Sequence, residues 1–192
     1  MIPQHRITPV LILFLVLSLF GCKEKNPYQT TGYVEANLFY LASPTGGYLK
    51  KLNVYEGEAV DKGQKLLKLE NQESMTAPAY SKIVDVLFQT EEYIPPGVPI
   101  MSLLIPSRMK IVFYVPEKNL HLIKIHKKIF VLLNNKKYTT KITYIANQAE
   151  FTPDNIFSEK NRYKIVYKIK TEVTPILRNL LKAGQPVDID YE

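Results

Sequence analysis

Apolar and polar residues alternate along much of this chain with a period of two, the spacing that predicts half-buried strands. The cleanest run is residues 162–171. There Tyr163, Ile165, Tyr167 and Ile169 share one face, and Lys164, Lys168 and Lys170 share the other. Residues 138–145 alternate likewise, with Ile142 and Tyr144 on one side and Lys141 and Thr143 on the other. Residues 109–115 and 129–133 are β-branched-rich apolar runs and predict two more strands. Asn134-Asn135 predicts a turn, and residues 184–191 a closing strand. Helical spacing is confined to one place. Pro116 and Glu117 suit a helix start, and Leu120 and Ile123, three apart, give a short helix one buried face.

Between these elements and the amino terminus lies an internal repeat. Residues 42–69 and 76–103 align without a gap at an offset of 34, as from Gly63 to Gly97. Pro44/Pro78, Glu58/Glu92, Gly63/Gly97 and Leu69/Leu103 are identical, and Leu49/Ile83, Leu52/Val86, Val60/Ile94 and Leu66/Ile100 are apolar in both. Each copy predicts a strand, a turn, a short apolar stop, a second turn and another strand. Gly57 supplies positive φ in the first turn, and Gly63 and Gly97 mark the second. Glu91 stands where Gly57 has its counterpart, so the second copy's first loop is expected to be built differently. One copy alone cannot bury its apolar face, so the two are expected to pack as a sandwich.

The amino terminus has a different texture. His5 and Arg6 precede an apolar stretch, residues 7–21, that is shorter than the roughly 20 residues a spanning helix needs. It ends at Leu19-Phe20-Gly21-Cys22, which holds the sole cysteine. This tetrad resembles the lipobox of bacterial lipoproteins. The resemblance implies a signal peptide over residues 1–21, cleavage before Cys22, and lipid attachment there, so that membrane lipid is a partner through acylation. Polar residues 22–32 then read as a lipidated tether.

Composition narrows the chemistry. The net charge is +7, with the lysines dispersed rather than blocked, and no nucleic-acid-reading motif occurs. One Cys excludes a disulfide framework and a cysteine zinc site. His121 and His126, five apart, do not share a helical face, and no phosphate loop or nucleophile–base arrangement is suggested. No catalytic residue, cofactor or metal is therefore expected, and the chain reads as non-enzymatic. The irregular segment 150–161 offers Phe151 and Phe157 as candidate partner contacts.

The repeat resembles the biotinyl/lipoyl-type domain, whose two halves form a flattened barrel with a modified Lys at their joint. Here the joint, residues 70–75, contains no Lys; Lys65, Lys68 and Lys82 flank it on predicted strands. An export signal together with lipoyl halves resembles the periplasmic adaptor, or membrane fusion protein, group of the HlyD type. The residues that carry this are Gly32-Tyr33-Val34-Glu35, Ala77-Pro78 with residues 83–87, residues 97–100, 110–117 and 144–153, and residues 183–187, in that order. The resemblance implies a mainly β fold: a lipoyl-like barrel-sandwich hybrid plus a small antiparallel β-barrel with one short helix. Residues 33–41 would be the first barrel strand, 42–106 the lipoyl-like domain and 107–192 the rest of the barrel. It also implies a homo-oligomeric ring on an inner-membrane transporter of ABC, RND or MFS type, in efflux or secretion. Family members usually carry a long helical hairpin between the lipoyl halves, and six residues leave no room for one. The alternative is an envelope lipoprotein acting as a binding or scaffold module. Lys23 after Cys22 leaves open whether the inner or the outer membrane holds the anchor.

Overall fold

Repetition in sequence becomes repetition in space. The computed structural model describes residues 27–70, 72–151 and 165–192. Strand β1 (Gln29–Glu35) leads into β2 (Phe39–Ala42), β3 (Gly47–Leu52), β4 (Ala59–Val60) and β5 (Lys65–Leu69). Then follow β6 (Met75–Thr76), β7 (Ser81–Val86), β8 (Tyr93–Ile94) and β9 (Pro99–Leu104). Adding 34 to the bounds of β3 and β4 gives those of β7 and β8. The strands form two four-stranded sheets, β2-β9-β7-β4 and β6-β5-β3-β8. Each sheet draws its long strands from one copy and a short strand from the other: β4 pairs with β7, and β8 with β3. Neither copy is a layer by itself. The shared core consists of the paired apolar positions, including Leu49, Val60, Leu66, Leu69, Ile83, Ile94, Ile100 and Leu103, all buried.

The second module is a barrel. Its strands are β10 (Lys110–Pro116), β11 (Lys128–Leu133), β12 (Lys136–Ile145), β13 (Glu150–Phe151), β14 (Ile165–Glu172) and β15 (Pro186–Asp190), joined by β1. The order β10-β1-β15-β11-β12-β14 closes because β14 also pairs with β10, giving a six-stranded antiparallel barrel with β13 as an outer edge. Closure removes the unpaired edges that an open sheet of this size would expose. Val34, Ile111, Phe113, Val115, Ile129, Val131, Ile142, Ile169 and Ile189 fill the interior. A satellite cluster of Val112, Tyr114 and Val166, with Tyr33 against it, lies apart from that core. Strand β10 is therefore buried on both faces, which is why its sequence is continuously apolar rather than alternating.

Several expectations meet a different outcome. Residues 33–41 are not one strand. Residues 36–38 break them, so that β1 stays in the barrel while β2 crosses to the sandwich and pairs with β9. The segment opened by Pro116 is a 3-10 helix, Glu117–Leu122, with Leu120 packed on the barrel core and Ile123 buried just after it. Three-residue spacing serves a 3-10 turn as well as an α-helix. Among the described residues the α-helix is α1 (Pro175–Leu180), which buries only Leu177 and so shows no helical stripe. Tyr144 lies outside the barrel although Ile142 lies inside, because the register with β14 slips between them. Asn134 and Asn135 both take positive φ (50° and 61°), the two-residue turn that suits a tight hairpin.

Candidate functional site

The joint between the repeats is tied down. Ser43 Oγ donates to Gln72 Oε1 at 3.0 Å, and Gln72 Nε2 donates to the carbonyls of Gly46 and Thr45 at 3.2 and 3.3 Å. One amide thus links the joint to the turn before β3. Lys65 and Lys68 project from β5 and Lys82 from β7, all exposed and none on the joint. A carrier arm needs an amine at the tip, and these side chains do not supply one there.

The turns explain which residues the repeat keeps. Gly57, Gly63 and Gly97 have φ of 86°, 82° and 75°, in the left-handed region. Gly63 N donates to Ala77 O and Gly97 N to Ser43 O, both at 2.8 Å and related by the offset. Glu58 Oε2 accepts from Tyr55 N at 3.1 Å, and Glu92 Oε2 from Gln89 N at 2.8 Å, so the shared glutamates cap equivalent turns. The loop at Glu91 is not built differently. Glu91 itself adopts φ 71° and donates from N to Leu49 O, as Gly57 does to Ile83 O. Its carboxylate accepts from Lys50 Nζ at 3.1 Å, which raises the Lys50 pKa.

The two sandwich faces differ. Tyr48 and Tyr93 meet edge to face at 5.4 Å, with Lys50 Nζ 5.7 Å from the Tyr48 ring. Their counterparts by the offset are Lys82 and Ala59. Sequence reasoning missed this aromatic pair because it sought agreement between copies; the signal lay in their disagreement.

On the barrel, Phe151 is exposed on β13, opposite Ile165 of β14, also exposed. Phe157 and Cys22 lie outside the described residues, so Phe151 is not placed beside Phe157. A groove of about 450 Å³ runs along the wall past Lys110, Thr143, Tyr144, Glu150, Lys168 and Lys170. Lys168 pairs with Glu150 at 2.9 Å and Lys170 with Glu35 at 2.6 Å. The hydrogen bond that Lys168 Nζ donates to Glu150 raises the Lys168 pKa against the opposing effect of burial. Burial, then the neighbouring Tyr33, pushes the Tyr114 hydroxyl well above its usual range. A second crevice, about 350 Å³, lies between Tyr80 of the sandwich, Pro106 and Ser107 of the crossing, and Pro175, Arg178 and Asn179 of α1. Among the described residues no three His, Cys, Asp or Glu side chains gather as metal ligands. His121 Nδ1 lies 2.9 Å from Lys118 O, and His126 occupies a left-handed turn (φ 66°).

No protein-family model matches the chain, and no curated protein matches it. Solved structures do. A putative efflux transporter from Bacteroides eggerthii aligns over 84% of this chain and 67% of its own, at 15% identity and TM-score 0.58. The membrane fusion protein Spr0693 from Streptococcus pneumoniae aligns over 84% and 96%, at 16% identity and TM-score 0.54. The periplasmic adaptor protein EmrA aligns over 86% and 99%, at 10% identity and TM-score 0.53. The fold is one shared with membrane fusion proteins. At such identities the likeness is one of architecture: an interleaved sandwich on a closed barrel.

Proposed function

We propose that this chain is a lipid-anchored, non-enzymatic periplasmic adaptor of the HlyD type, in an efflux or secretion system. In this reading residues 1–21 are a signal peptide and Cys22 carries the lipid; the tether to the envelope membrane is shorter than the expected residues 22–32, since Tyr28 is bonded to Tyr191 and the first barrel strand already starts at Gln29. The adaptor couples an inner-membrane transporter to export, with copies side by side in a ring. The observation that carries the reading is the order of modules along one chain: a lipobox-like tetrad, a barrel strand, an interleaved sandwich, then the rest of the barrel. Modules with satisfied turns suit transmission of a transporter's motion.

Deletion of the gene tests this. The reading predicts loss of secretion, or increased susceptibility to exported compounds, with envelope permeability unchanged. The tied joint favours a second reading, because Gln72 closes the place where a hairpin would leave the sandwich. There the chain is an envelope scaffold lipoprotein. Unchanged export with a leaky envelope would select it.

A further inference from the structure

The barrel has two unlike ends. At one, residues 36–38 and the 3-10 turn Pro106–Arg108 carry the chain to and from the sandwich, with α1 alongside. The antiparallel registers fix what gathers at the other. Pro116 lies opposite Val166, Gln29 opposite Asp190, and Phe151 opposite Ile165, and Lys127 Nζ donates to Tyr191 O at 2.8 Å. That rim therefore holds the start of β1, the turn Glu117–Leu122, the loop into β11, the end of β15, and the Phe151–Ile165 pair.

Its surface composition is amphipathic. Ile125, Phe151 and Ile165 are 46%, 73% and 50% exposed. Lys118, Lys124 and Lys128 are exposed, and among the described residues none forms an ion pair. Among the described residues Glu117 and Glu192 are the exposed carboxylates there, whereas Glu150 and Asp190 are engaged by Lys168 and Lys137. A lone exposed apolar side chain means little. Three on one rim, interspersed with lysines, match the boundary between acyl chains and phosphate headgroups.

The path of the chain selects the occupant. Pro27 and Tyr28 are pinned at this rim. Tyr191 N donates to Tyr28 O at 3.1 Å, and the Tyr191 hydroxyl reaches Pro27 O while accepting from Asn119 Nδ2 at 2.9 Å. Five residue steps separate Cys22 from Pro27, at most about 18 Å. An anchor at Cys22 thus brings this rim, and not the sandwich, to the bilayer.

We infer that the rim docks directly on an anionic bilayer, with Ile125, Phe151 and Ile165 inserted and the three lysines at headgroup phosphates. The inference rests on the lipid anchor of the proposed function. Docking fixes the tilt of the molecule, which a tether alone would not.

The chain contains no Trp, so a single introduced indole reports its own surroundings. Full-length lipidated Phe151→Trp and Ile165→Trp chains are placed in vesicles of phosphatidylethanolamine and phosphatidylglycerol, with brominated lipid as quencher. Tyr55→Trp, on an exposed sandwich turn, is the reference. Blue-shifted emission, quenched several-fold more than the reference, is expected at both rim positions. The quenching should weaken when Lys118, Lys124 and Lys128 become Gln. Emission as unquenched as the reference, from protein that floats with the vesicles, overturns docking and leaves the anchor standing. Blue-shifted but unquenched emission overturns it too, since a protein surface then covers the rim. Quenching indifferent to the lysine changes overturns the headgroup contact. A chain that does not float with vesicles overturns the anchor, and the inference with it.

Discussion

Thr171 is fully buried in the barrel, and its hydroxyl has no hydrogen-bond partner. A buried polar group left unsatisfied costs about 1–3 kcal/mol, so Thr171→Val should stabilise the protein by about 1 kcal/mol in urea unfolding. Gly57 occupies φ 86° with no atom near the place of a Cβ, so Gly57→Ala meets backbone strain and no clash. A loss of about 1–2 kcal/mol is expected there. At Glu91 the same strain is already present, partly offset by Lys50, so Glu91→Gly should change stability by less than Gly57→Ala. Asp190 gives the pH dependence. Burial alone would raise its carboxyl, but hydrogen bonds from Lys137 and the Glu192 backbone outweigh burial and hold it below its ordinary value. A carboxyl lowered on folding stabilises the fold above the unfolded value, near 4, and loses that contribution as pH falls through the folded value. Asp190→Asn should therefore be less stable near neutral pH, and the difference from wild type should shrink under acid unfolding below about pH 4.

At the scale of elements, the interleaving of the copies decides stability. Leu49 and Ile83 are equivalent by the offset and face one core. Each truncation to Ala should cost about 3 kcal/mol, and a peptide holding one copy should show no cooperative unfolding. The pattern of elements was largely legible because its signals are local: period-two alternation in β12 and β14, turn residues at Asn134-Asn135, and a gapless 34-residue repeat. Exchange of short strands between copies was not legible, since a two-residue strand such as β4 carries no period. The division of residues 33–41 between modules escaped for another reason. Both parts are extended and apolar, and only partners distant in sequence distinguish them. Of the candidate contacts, Phe151 could be found as an apolar residue in an irregular stretch, whereas its pairing with Ile165 could not.

For the whole molecule, the structure places the barrel between the chain's entry at Tyr28 and the sandwich at the opposite end. The adaptor reading requires that this arrangement serve a second protein in the membrane. Affinity purification of the lipidated chain from envelope fractions in mild detergent, after crosslinking in cells, tests that most directly. The reading predicts oligomers of the chain together with an inner-membrane transporter. Recovery of monomers alone, with no transporter attached, would contradict it.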